Sequence, residues 1–188
     1  MPEFRRYFIP GGTFFFTLVT AERAPIFQSQ EACSLLGDCL RAEKQVRPFR
    51  VEAIVLLPDH LHMIWILPEG DADFPTRMAA VKSRFTREWI ARGGRENRVP
   101  QGQGRQRRRG IWQARFMEHA IRDEDDFIHH VEYIHYNPVK HGWVRCPVEW
   151  LYSSFHRYVR RGDYPADWAC SQQGLVPAFR GVQESLIE

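Results

Sequence analysis

The chain has 188 residues, 44% hydrophobic and 13% aromatic, enough to bury a core and too apolar for a disordered polypeptide. No apolar run approaches the roughly 20 residues that cross a bilayer, which argues against a membrane-spanning protein. The formal net charge is only +3, yet residues 77–115 hold twelve Lys or Arg against Glu88 and Glu96, the footprint of a polyanionic partner.

The N-terminal "MPEFRRYFIPGGTFFFTLVT" has arginines, but its apolar run is short, broken by "PGG" and without a small-residue cleavage site. It reads as a first strand over 13–20 and not as a signal peptide, so a cytoplasmic location is expected. Residues 28–45 place Ala32, Leu35, Leu36, Cys39 and Leu40 at helical spacing. "RVEAIVLL" and "HLHMIWIL" flank a Pro-Asp turn and predict a strand pair. A second helix is expected over 74–92, then a Gly- and Arg-rich loop over 93–110 and a strand over 110–121. A third helix over 123–137 opens on acidic residues, where the helix dipole favours them, and is expected to stop at Pro138. The order β-α-β-β-α-β-α predicts an α+β fold: a ferredoxin-like antiparallel sheet with helices on one face, plus a C-terminal extension. The expected division is one domain over 1–142 and a C-terminal extension over 143–188. The four cysteines form no C-x-x-C pair and read as reduced thiols of an intracellular protein.

His60 and His62 stand at alternate positions of one strand, so both imidazoles leave the same sheet face. Two imidazoles can ligate a divalent ion without completing its shell, and an isolated H-x-H favours the bland reading of half-exposed side chains near a turn. The third helix changes the balance. At 100° per residue, Phe127, Val131 and Ile134 form the apolar stripe that faces the core, whereas Asp126, His130 and Asn137 lie within roughly 60° of Tyr133 on another face, away from the core. A phenol, with an ordinary pKa of about 10, is a poor nucleophile unless a metal polarises the phosphate beside it. The chemistry suggested is attack by Tyr133 on a phosphodiester, with a metal held by His60, His62 and the Asn137 amide. His130 is a candidate for proton transfer or for a capping role. Lys82, Arg84 and Arg87 on the second helix, the tract Arg105, Arg107, Arg108 and Arg109, and Arg115 are candidate phosphate contacts.

The pairing of "PDHLHMIW" with "YIHYNPVKHGWV" resembles the single-tyrosine HUH transposases, named for histidine-hydrophobic-histidine. It looks most like the REP-associated tyrosine transposases, relatives of the insertion-sequence-200 type. The resemblance continues through "GIWQARFMEHAIRDEDDFIHH" to "EWLYSSFHRY" and "YPADW", so it spans most of the chain. It implies a metal-dependent enzyme that cleaves and rejoins single-stranded or hairpin DNA, including REP-like palindromes, through a 5′-phosphotyrosine intermediate. His60 and His62 would be the metal ligands and Tyr133 the nucleophile, with Mg²⁺ or Mn²⁺ as the ion. Asn137 stands where many relatives carry a glutamine that completes the metal shell, and it is one methylene shorter. The resemblance allows either a monomer or a homodimer. Two other classes fit parts of the same pattern: a nucleic-acid-binding module without catalysis, and a metal-dependent phosphodiesterase that activates water.

Overall fold

The computed structural model describes residues 8–96 and 110–171. Four strands, β1 (Thr13–Val19), β2 (Arg50–Leu56), β3 (His60–Ile66) and β4 (Met117–Ala120), form one sheet in the order β2-β3-β1-β4, antiparallel throughout. Four helices accompany them: α1 (Gln30–Val46), α2 (Phe74–Ala91), α3 (Glu124–Lys140) and α4 (Phe155–Arg161). Strand order and connections are those of the expected ferredoxin-like α+β fold.

The expectation that the helices share one face is met by α1 and α2 only. Phe14, Phe16 and Leu18 of β1 and Leu61, Met63 and Trp65 of β3 pack against Leu36, Cys39 and Leu40 of α1 and Met78, Val81 and Phe85 of α2. The alternate residues Phe15 and Ile64, with Val55 of β2, meet Val131, Tyr133 and Ile134 of α3 and Tyr158 of α4. Both sheet faces are therefore covered, which explains why "TFFFTLV" is apolar without alternation.

Local signals set the helix starts. Ser29 and Asp73 cap α1 and α2 by accepting from the backbone N–H of Ala32 and Thr76. Arg77, one of the twelve basic residues, does not face a partner. It is buried, paired with Asp71, and donates to the carbonyls of Arg47, Pro48 and Asp73. The strand expected over 110–121 shortens to β4, because Trp112 forms an isolated bridge with Thr20 beyond the end of β1. Pro138 does not end α3, which runs on to Lys140.

The C-terminal segment binds the free edge of β2. Leu56 N–H donates to the Tyr152 carbonyl, Ser154 N–H to the Ile54 carbonyl, and the Trp150 indole to the Leu56 carbonyl, so an edge strand is capped by chain. Cys146 and Cys170 are joined in a disulfide, which corrects the expectation of four thiols; Cys33 and Cys39 are buried and free. A separation of 24 residues gave no sign that folding brings this pair together. No described helix is long and apolar enough to cross a membrane.

Candidate active site

Strand β3 is central, and its pairing fixes where the histidines stand. Thr17 and Val19 of β1 lie opposite His62 and His60, and Val55 of β2 flanks His62 from the other side. The two rings are 5.0 Å apart between centroids. Neither is half exposed: His60 is 2% and His62 0% accessible. The Nδ1 atom of each ring is occupied. The Asp59 carboxylate lies 2.6 Å from His60 Nδ1, and Thr17 Oγ1 lies 2.8 Å from His62 Nδ1. A carboxylate held ionised only accepts, so His60 donates to it through Nδ1 and turns Nε2 away from Asp59. Burial raises the Asp59 pKa, but hydrogen bonds from His60 and Arg23 outweigh it and hold the carboxyl below its ordinary range. Burial, then the neighbouring His60, pushes the His62 pKa well below the usual histidine value. Both Nε2 atoms are buried, and among the described residues neither has a hydrogen-bond partner.

Helix α3 supplies the rest. Asp123 caps it by accepting from Asp126 N–H, with Glu124, Asp125 and Asp126 in the first turn. Its polar face does not point away from the core as the helical wheel suggested. Asp126, His130, Tyr133 and Asn137 are all buried, because the helix lies over the histidine face of the sheet and covers it with stripe and polar face together. Phe127 is only partly buried and Ile128 is 41% exposed. The Tyr133 ring lies 5.2 Å from that of His62 and 6.1 Å from that of Phe15. Lys140 Nζ stands 5.3 Å from the Tyr133 ring centre. One turn beyond Tyr133, the Asn137 side chain is fully buried, and its Oδ1 and Nδ2 have no hydrogen-bond partner among the described residues.

Leaving a buried polar group unsatisfied costs about 1–3 kcal/mol. Several buried side chains share this deficit, His135 Nδ1 beside Phe155 and Tyr158 among them; on the histidine strand and one turn beyond Tyr133 they are two imidazole nitrogens and an amide, each offering an atom that can ligate a divalent cation. The residues present therefore fit a metal. A second group, His119, Asp126 and His130, also brings ligand atoms within 4.8 Å of one another. Those atoms are already engaged. Asp126 accepts from His119 Nε2 at 2.9 Å and from Arg122 Nε at 3.0 Å, and His130 Nδ1 donates to the Asp126 carbonyl at 2.7 Å. Burial raises the Asp126 pKa, but Arg122 and His119 hold its carboxyl well below the usual range. Burial lowers the pKa of His130.

No family model matches the chain. A REP-associated tyrosine transposase of Escherichia coli (strain K12) is 45% identical over 170 residues, covering 90% of this chain and 92% of the relative. The chain belongs to the REP-associated tyrosine transposases. A second member, from Haemophilus influenzae, is 42% identical over 171 residues, covering 89% of this chain and 93% of its own. A solved structure of a REP-associated tyrosine transposase bound to a REP hairpin matches with 45% identity and a TM-score of 0.75, over 90% of this chain and 92% of that one.

For a REP-associated tyrosine transposase, the basic residues are divided among different surfaces. Lys82, Arg84 and Arg87 ride on α2, across the sheet from the histidines. Lys82 donates to the Gln113 carbonyl at 2.9 Å, and Arg87 pairs with Glu88. Arg115 is exposed between Trp112 and β4. Arg105, Arg107, Arg108 and Arg109 lie outside the described residues. The structure thus gathers His60, His62, Tyr133, Asn137 and His130 on one face and leaves the α2 cations on the other. Sequence reading missed the supports Thr17, Asp59, Arg23, His119 and Arg122. Only Asp59, adjacent to His60 in "PDHLH", carried a local signal; Thr17 reaches His62 through strand register.

Proposed function

We propose that the chain is a metal-dependent DNA transposase that cleaves and rejoins single-stranded or hairpin DNA, such as REP-like palindromes, through a 5′-phosphotyrosine. The observation that carries this reading is that three buried ligand groups, without a hydrogen-bond partner among the described residues, stand on the strand and the helix that meet at the face where Tyr133 lies. A Mg²⁺ or Mn²⁺ ion would be held by His60 Nε2, His62 Nε2 and Asn137 Oδ1. When bound, it supplies positive charge that polarises the phosphate and stabilises charge developing at the departing oxygen.

The chain's own groups do the rest. Tyr133 Oη attacks phosphorus and the bond to the 3′-oxygen breaks. The phosphate stays on the 5′ side as a tyrosine diester, and the other fragment leaves with a 3′-hydroxyl. His130 is the acceptor for the phenol proton: its Nδ1–H is committed to the Asp126 carbonyl, which leaves Nε2 basic, and burial keeps the ring neutral. The proton returns to the 3′-oxygen. Rejoining runs the same steps backwards from a new 3′-hydroxyl, so the bond energy is conserved and no nucleotide cofactor is consumed. His62 and Tyr133 of one chain stand together, which supports action in cis by a monomer. Lys82, Arg84, Arg87, Arg115 and the tract Arg105, Arg107, Arg108 and Arg109 would contact the DNA backbone, the α2 cations doing so on the sheet face opposite Tyr133. We assign catalysis to residues 1–142 and a contribution to DNA recognition to 143–188, with cytoplasmic DNA as the working substrate. The hairpin bound in the solved relative supports this substrate class.

A denaturing gel with labelled REP hairpin DNA and Mn²⁺ tests the proposal. The wild-type chain should yield a covalent protein–DNA band, and Tyr133→Phe should lose it while still binding DNA. Cleavage that persists in Tyr133→Phe overturns the nucleophile. Wild-type cleavage without an adduct would identify a water-activating phosphodiesterase, and binding alone a recognition module.

A further inference from the structure

Beside His60 lies a cavity of about 240 Å³ bounded by Arg23, Gln28, Asp59, His60, His141 and Trp143. Its walls come from three distant segments: the turns between β1 and α1, the β2–β3 turn, and the end of α3. Each segment is fixed by hydrogen bonds that serve its position. Thr20 Oγ1 lies 2.8 Å from the carbonyls of both Ala24 and Asp59, which share its single hydrogen, Thr20 N–H donates to the Asp59 carbonyl, and Phe27 N–H donates to that of Pro58. Glu22 and Arg23 both adopt left-handed backbone, at φ 53° and 51°, a conformation that non-glycine residues rarely hold in succession. That turn presents the Arg23 guanidinium 3.3 Å from Asp59, the residue that orients His60.

Trp143 is placed as deliberately. Gly142, at φ 70°, ends α3 in a Schellman motif: Gly142 N–H donates to the Val139 carbonyl and Trp143 N–H to that of Pro138. The result is a large aromatic ring left 51% exposed, next to a site whose metal-ligating groups are buried. Trp150, 6.4 Å away and tied through its indole to the Leu56 carbonyl, supports it. A flat apolar face, a Gln28 amide that both donates and accepts, and the Arg23 cation match one planar heterocycle attached to a phosphate. The volume falls below the roughly 300 Å³ at which drug-sized ligand sites begin.

We propose that this cavity is a nucleobase subsite: it takes one unpaired base of the DNA strand flanking the scissile phosphate, stacked on Trp143, with Gln28 at its polar edge. The inference rests on the DNA-processing reading above. It adds a specificity element, because a base seated beside His60 fixes which phosphate reaches the metal face. Stacking of this kind typically changes affinity by about fivefold or more per base.

The test uses REP hairpin DNA carrying 2-aminopurine, or an abasic site, at one flanking position at a time, titrated with the full chain. With the wild type, 2-aminopurine at one flanking position should be quenched on binding, and an abasic site there should weaken binding by about fivefold or more. Trp143→Ala should lose both effects at that position while keeping its affinity for the abasic DNA; Trp143→Phe should retain the quenching. Unfolding of the alanine variant would abolish binding to every oligonucleotide, and the decision then passes to Trp143→Phe and to Gln28→Ala, which should bind all four bases at that position alike. Quenching at no flanking position in the wild type, quenching unchanged in Trp143→Ala, or base preference unchanged in Gln28→Ala overturns the subsite. The readout is binding, so it stands even if no covalent adduct ever forms.

Discussion

The Nε2 atoms of His60 and His62 and the Asn137 amide are polar, buried and without hydrogen-bond partners among the described residues, and a protein normally corrects such a deficit. The metal of the proposed function would do so here, which gives a consequence measurable without catalysis. Mn²⁺ at about 100 times its dissociation constant should stabilise the chain by about 2.7 kcal/mol, raising the melting temperature by on the order of 5 °C or more. His62→Ala and Asn137→Ala should each remove most of that increase. A shift of equal size in His62→Ala would move the site elsewhere, with His119, Asp126 and His130 as the alternative. At this scale the sequence was only half legible. His60 and His62 announced themselves by spacing, but their burial did not, because it depends on the helix that closes over them. Thr17 has no motif at all, and only strand register brings it to His62.

Helix α3 is the element that assembles the site, and its first turn anchors it to the sheet. Asp126 ties the helix to β4 through His119 and accepts from both the backbone and side-chain nitrogens of Arg122. Hydrogen bonds to a charged group are worth about 1.5–3 kcal/mol each, so Asp126→Asn should destabilise the fold by roughly 2–4 kcal/mol at neutral pH. The sign with pH follows from linkage. The carboxyl is held below its unfolded value, so its stabilising contribution is complete above pH about 4 and disappears as the pH falls towards the lower folded value. Urea denaturation of the wild type and Asp126→Asn should therefore diverge above pH about 4 and converge in acid; a constant gap would show that only shape was lost. The wheel for this helix identified its two faces correctly and placed one of them away from the core. The error is physical: a polar face is buried when its partners are also polar, and hydrophobic periodicity does not register that. Pro138 misled in the same way. A proline near the end of a helix costs little when the turn after it is closed by the Gly142 motif.

Across the whole molecule, chemistry and charge are divided between layers. The sheet separates the histidine–tyrosine face from α2, so under the proposed function Lys82, Arg84 and Arg87 would meet a bound strand only on the face opposite Tyr133. The link from α2 to β4 contains Arg105, Arg107, Arg108 and Arg109, which carry the densest charge in the chain. Neutralising these four should weaken DNA binding and flatten the dependence of log affinity on log salt by up to about 3. An unchanged slope would make the tract a bystander. The strand-and-helix order was legible as far as α3, because α1, α2 and α3 have helical spacing and side-chain caps and the strands are β-branched and aromatic runs. The covering of the second face by α3 and α4 was not, since it depends on contacts between residues as distant as Ile54 and Ser154. The central claim remains a covalent one. Mapping the protein–DNA adduct by digestion and mass spectrometry tests it most directly: the account predicts a 5′-phosphonucleotide on the peptide containing Tyr133 and a free 3′-hydroxyl on the released strand. Attachment to another residue such as Tyr136, or strand cleavage with no attached nucleotide, would contradict it.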